Sequence, residues 1–172
     1  RNGIDADQID DVIGGAVSQV GEQSLNVTRN AALAAGLPES VPATTVDRQC
    51  GSSQQAAAFG AQGIDAGAYD LVVAAGVESM SRVPMGSAVT ADPFSAGFRV
   101  RYPDGLIPQG VAAERIAARW GLSRADVDAF SLRSHRLAAE AAAEGRFDQE
   151  LLAIKAPGPD GGLHEVTADK GI

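Results

Sequence analysis

The sequence predicts an α/β fold in helix, sheet and helix layers, and three observations carry that expectation. Strand-like and helix-like stretches alternate through the first half of the chain, the order that builds a parallel sheet with right-handed crossovers. Residues 71–77 (Leu-Val-Val-Ala-Ala-Gly-Val) form an unbroken apolar run. Such a run is the signature of a strand covered on both faces. Residues 52–66 read as a helix of very small residues with almost no polar face. A surface helix is amphipathic, so this one is expected to be buried and central.

Each element has its own signal. Residues 3–11 read as the end of a helix and a polar loop, and residues 11–17 as a strand in which Gly14 and Gly15 allow close backbone approach. Ser24 is placed to cap a helix running to Ala35, which Gly36 would end. Val27, Ala31, Ala34 and Ala35 recur along it at helical spacing. Pro38 and Pro42 bracket a loop, and residues 43–46 (Ala-Thr-Thr-Val) read as a short strand. Residues 82–110 are rich in Gly, Pro, Ser and Asp and show no clear period; a loop of that length is usually functional or disordered. A helix over residues 110–120 ends at Gly121. Ser123 and Asp126 then resemble a capping box for a helix that stops by Gly145. Residues 151–154 read as a strand, residues 157–162 as a turn, and residues 164–167 as a hairpin partner.

Composition narrows the function. The 172 residues are 45% hydrophobic but only 5% aromatic, so the core rests on Ala, Val, Ile and Leu. A net charge of −8 argues against nucleic acid as a general partner. Of fourteen basic residues only Lys155 and Lys170 are lysines, which leaves arginines for a local anion site. Arg99 and Arg101 suit either phosphate binding or plain solvation of their loop. A single cysteine excludes an internal disulfide, and no Cys/His cluster has metal spacing. No run of 18 apolar residues predicts a membrane span. The expected setting is the reducing cytoplasm. The chain opens on Arg1-Asn2-Gly3 and stops at Lys170-Gly171-Ile172, and both ends read as cuts through a longer protein.

The cysteine is Cys50, in Val46-Asp47-Arg48-Gln49-Cys50-Gly51-Ser52-Ser53. It falls at a strand-to-helix junction, where the first N–H groups of a helix have no partners and the helix dipole favours negative charge. Two readings fit: a nucleophile that forms a thioester, or a buried structural cysteine. Residues 78–81 (Glu-Ser-Met-Ser) follow the apolar run and fall at another strand end, the side of such sheets where chemistry lies. A carboxylate beside a thiolate opposes its ionisation, so Glu78 reads as a structural hydrogen-bond acceptor and not a base. Met80 reads as core or pocket wall. His135 and His164, the only histidines, read as ordinary surface residues.

Four stretches in register resemble the N-terminal half of a thiolase, an acyl-CoA acyltransferase. They are residues 47–53 (Asp-Arg-Gln-Cys-Gly-Ser-Ser), residues 75–81 (Ala-Gly-Val-Glu-Ser-Met-Ser), residues 110–117 (Gly-Val-Ala-Ala-Glu-Arg-Ile-Ala), and residues 122–128 with Glu144-Gly145-Arg146-Phe147 after them. The resemblance runs over nearly the whole chain. It implies a partial N-terminal domain over residues 1–81 that carries the nucleophile, and a loop domain over residues 82–172 that covers coenzyme A. It also implies that a C-terminal catalytic half lies outside these 172 residues. Cys50 is then the acylated nucleophile, and Leu106, Gln109 and Gly110 stand near the pantetheine arm and thioester. Coenzyme A enters as substrate, with no permanently bound cofactor and no metal. A homodimer or homotetramer is implied, the strand before Cys50 pairing across a two-fold.

Some positions depart from the family pattern. Asp47 stands where many thiolases have Asn, Gln54 and Gln55 where apolar residues are usual, and Gln109 where Met is common. These traits resemble a subgroup that includes actinobacterial thiolases, some of which act on steroid side chains. The Gly-His-Pro segment whose His activates the nucleophile is not among these residues, nor are the Asn-Glu-Ala-Phe segment and the second cysteine. The 172 residues alone are therefore expected to show no thiolase turnover. Two other readings share the fold: a ketoacyl-synthase-type condensing enzyme, and a non-catalytic thiolase-like protein of lipid binding or assembly.

Overall fold

The computed structural model describes residues 3–169 and residue 171. It forms two compact units, Arg1–Ser95 and Ala96–Ile172.

The first unit holds β1 (Asp11–Gly15), α1 (Val27–Ala34), β2 (Ala43–Val46), α2 (Ser52–Asp65) and β3 (Val72–Gly76). The three strands are all parallel, in the order β2-β1-β3. Gly15 lies opposite Val46 on one side and Gly76 on the other, so all three strands end together at their carboxyl ends. Alternate residues of a strand face opposite sides of a sheet, and the two glycines of β1 use both. A Cβ on Gly14 would lie 2.1 Å from the Thr28 hydroxyl of α1, and one on Gly15 would lie 2.3 Å from the Ser53 nitrogen of α2. One helix therefore lies on each face, as the layered expectation requires. On the α1 side Val12, Ala32 and Val41 form a core with Ile9, Leu37 and Ala43 packed against it. On the α2 side Ser52, Ala56 and Gly60 are buried at four-residue spacing, with Ala56 at 0% exposure.

At the other end of the sheet, side chains fasten the strand entries. The Asp10 carboxylate accepts from the Asp70 and Leu71 N–H groups at 2.7 and 2.9 Å. Those bonds, Leu71 first, hold its carboxyl below the usual carboxylate range. The Tyr69 hydroxyl donates to Asp11 at 2.9 Å, and that bond and the Asp11 charge push the phenol up.

Three expectations for the first unit need correction. Helix α2 is buried along one stripe only: Phe59 is 41% and Ile64 46% exposed. Among the described residues strand β3 pairs with β1 alone, and Val73, Ala74, Ala75 and Gly76 are exposed. Apolar content records where burial is possible, and a three-stranded sheet with α1 over β1 and β2 leaves one face of β3 open. The cap of α1 is Asn26, not Ser24. Leu25 and Asn26 both take left-handed backbone (φ 55° and 58°) after a 3-10 turn at Gly21–Gln23. Asn tolerates that conformation, and its side chain both accepts from the Arg29 N–H and donates to the Ala43 carbonyl of β2.

The second unit holds α3 (Ala96–Arg101), α4 (Gln109–Trp120), α5 (Arg124–Ala143) and an antiparallel hairpin of β4 (Ile154–Pro157) and β5 (Leu163–Val166). Gly121 ends α4 at φ 64°, and Ser123 with Asp126 closes the capping box on α5. The strand expected over residues 151–154 starts only at Ile154. The Phe147 carbonyl accepts from the Glu150 and Leu151 N–H groups, so a turn occupies the preceding residues.

Candidate active site

Three chain segments meet where the strands of the first unit end. They are the β1 exit (Gly15, Ala16, Val17, Ser18), the turn into α2 (Gln49, Cys50, Ser52, Ser53) and the β3 exit (Gly76, Val77, Glu78, Met80), with Met85 beside them. They enclose a largely apolar cavity of about 400 Å³. The two glycines make this possible. A Cβ on Gly15 or Gly76 would come within 2.3 or 2.5 Å of Ser53 atoms, so the start of α2 lies directly on the sheet.

The turn that carries Cys50 is tied by short-range hydrogen bonds. The Gln49 N–H donates to the Asp47 carboxylate at 2.7 Å. The Ser52 hydroxyl donates to the Gln49 carbonyl at 2.5 Å and accepts from the Arg48 N–H at 3.0 Å. Gln49 is left-handed, with φ 48°, a conformation few side chains adopt without support. Cys50 follows it and is exposed.

Glu78 accepts from the Val17 N–H at 2.7 Å, the Ser18 N–H at 3.2 Å and the Gln23 side-chain amide at 2.9 Å. The bond from Val17, then that from Gln23, holds its carboxyl below the usual carboxylate range. It is a hydrogen-bond acceptor, as the electrostatic argument expected, and it stands in the same cavity wall as Met80. Sequence reasoning missed Ser18 and Gln23, which are 5% and 4% exposed. Neither belongs to a local motif, and only burial singles them out.

The other candidates belong to the second unit. Gln109 and Gly110 open α4 and Leu106 precedes it, exposed, in the second unit. His135 is exposed on α5. His164 Nε2 lies 2.7 Å from Asp160 Oδ1 in the hairpin turn, and that contact holds the Asp160 carboxyl below its usual range. Arg101 lies over the Tyr102 ring, 5.5 Å from its centre. Among the described residues no group of three or more His, Cys, Asp or Glu side chains is placed to hold a metal ion. No described helix is long and apolar enough to cross a membrane.

The family model for the N-terminal domain of thiolase matches residues 1–172. The chain belongs to the thiolase family. Its relatives include the steroid 3-ketoacyl-CoA thiolase FadA6 of Mycobacterium tuberculosis, 43% identical over 183 residues, 99% of this chain and 45% of that protein. A 3-ketoacyl-CoA thiolase of Bacillus subtilis is 44% identical over 147 residues, 86% of this chain and 37% of that protein. One from Pseudoalteromonas translucida is 43% identical over 169 residues, 98% of this chain and 43% of that protein. The chain thus spans less than half the length of these thiolases.

Proposed function

We propose that this thiolase chain supplies the nucleophile of an acyltransferase that moves an acyl group between acyl-CoA and CoA or acetyl-CoA. The observation that carries the reading is the exposed Cys50 in an apolar cavity at the carboxyl ends of parallel strands. In this reading residues 1–81 carry the nucleophile and residues 82–172 cover the coenzyme.

The chemistry is ping-pong transfer through a thioester. In 3-ketoacyl-CoA thiolysis the Cys50 thiolate attacks the 3-keto carbonyl, the tetrahedral intermediate collapses with cleavage of the C2–C3 bond, and acetyl-CoA leaves as its enolate, which takes up a proton. A CoA thiolate then attacks the acyl-cysteine thioester and releases the Cys50 thiolate. In the condensing direction Cys50 attacks the thioester of acetyl-CoA, CoA leaves as a thiolate that takes up a proton, and the enolate carbon of a second acetyl-CoA removes the acetyl group. Each oxyanion needs aimed donors, backbone N–H groups among them. Leu106, Gln109 and Gly110 are proposed contacts of the pantetheine arm, and a homodimer or homotetramer is the proposed assembly. Light scattering of the complete enzyme reads the last of these.

The deciding experiment incubates the complete enzyme with acetoacetyl-CoA and maps adducts by mass spectrometry. An acetyl group on the peptide containing Cys50, absent from Cys50→Ala, supports the reading. Turnover retained by Cys50→Ala overturns it.

A further inference from the structure

The backbone pairing of β1 and β3 ends with the Val77 N–H on the Gly15 carbonyl, at 3.0 Å. Past that bond the two exits become cavity wall, and nothing in the backbone ladder keeps them in register. Side chains take over. The Glu78 carboxylate crosses the gap to the Val17 and Ser18 N–H groups at 2.7 and 3.2 Å. From the other side Gln23 accepts from the Ser79 N–H at 2.7 Å while its amide donates to the Ser18 carbonyl at 3.0 Å and to Glu78 at 2.9 Å. Two side chains, 55 residues apart in sequence, thus extend the pairing beyond the sheet. Gln23 is itself placed by the 3-10 turn at Gly21–Gln23, whose Glu22 pairs with Arg82 at 3.1 Å.

The location of this brace calls for an explanation. The Glu78 carboxylate spends its bonds on two backbone N–H groups of the β1 exit and on the Gln23 amide, which is a geometric service. The geometry points to Glu78 and Gln23 as a pair of positioning residues, which hold the β1 exit across the cavity from Cys50 and so fix where the carbonyl under attack can sit. This rests on Cys50 being the nucleophile. Neither side chain takes or gives a proton in the reaction. Acyl transfer depends on near-attack geometry, and a displacement of about 1 Å lowers such rates by up to roughly a hundredfold.

The test uses the complete enzyme with Glu78→Gln, Glu78→Ala, Gln23→Ala and the Glu78→Ala/Gln23→Ala pair. Acylation of Cys50 is followed by quenched-flow mass spectrometry, steady-state kcat and KM are measured, and the folded fraction is checked by circular dichroism at the assay temperature. Glu78→Gln is nearly isosteric and can offer only one acceptor oxygen, so it keeps the fold testable if the alanine variants fail to fold. The expected result is a fall in acylation rate and kcat of roughly tenfold to a hundredfold for the alanine variants, and less for Glu78→Gln. KM for CoA stays within about twofold, because neither residue is among the proposed coenzyme contacts. The double variant is no worse than the poorer single one, since the two residues act as one unit. Wild-type acylation rates in folded Glu78→Ala and Gln23→Ala overturn the proposal alone, and so does a loss that only tracks the unfolded fraction. Absence of acyl-Cys50 in the wild-type enzyme overturns the functional reading and the proposal with it.

Discussion

A methyl group added at Gly15 would sit 2.3 Å from the Ser53 nitrogen and 2.4 Å from the Ser52 carbonyl carbon. Both are main-chain atoms of the α2 start, so the clash cannot be relieved by turning a side chain. Gly15→Ala should therefore lower stability by about 1–3 kcal/mol, the usual range for overpacking a filled site, read as a lower urea midpoint at unchanged slope. It should also slow acylation of Cys50, because the same shift moves the turn at Gln49. The two glycines of β1 were legible as points of close approach. What they approach was not, since Thr28 and Ser53 lie 14 and 38 residues further on. Glu78 behaves alike: its role as acceptor followed from the charge argument, while its donors Val17, Ser18 and Gln23 are 55 to 61 positions away.

Helix ends were read from the sequence wherever their chemistry is local. The Ser123–Asp126 box needs only four consecutive residues, and it forms as expected. Ser123→Ala should cost about 1 kcal/mol, seen as a lower thermal midpoint, with α5 fraying at Arg124 by hydrogen exchange. The cap of α1 was misread because it is not local. Asn26 is selected by a left-handed turn and by a bond to the Ala43 carbonyl of β2. Burial of α2 and β3 was overread for a related reason. Apolar residues all round an element show that it can be covered on every side, but neighbours decide whether it is. In this chain only the stripe through Ser52, Ala56 and Gly60 meets the sheet.

Four carboxyls across the chain, those of Asp10, Glu78, Asp126 and Asp160, are held below their ordinary range by hydrogen bonds. A group whose folded-state value is depressed stabilises the fold above its unfolded value and loses that contribution as pH falls through the folded one. Stability should therefore be flat from about pH 7 to 5 and fall below roughly pH 4, where unfolded carboxylates protonate. Urea midpoints measured across that range check this, and Asp10→Asn should reduce the slope on the acid side. All four carboxyls are solvent-exposed in the sense of burial, so each contribution is small and salt-screened.

The sequence by itself determined the layered α/β class, the short strand and helix around Cys50, the capping box of α5 and the family. All of these are written in contiguous residues or in motifs whose spacing survives without coordinates. Only the tertiary structure decided which segments line the cavity beside Cys50, and that Gln23 and Glu78 together span the gap between two strand exits. Those facts depend on which distant segments come to lie side by side. Parallel pairing and crossovers bring residues 15, 50 and 76 to one place, and no local pattern in the chain encodes that meeting.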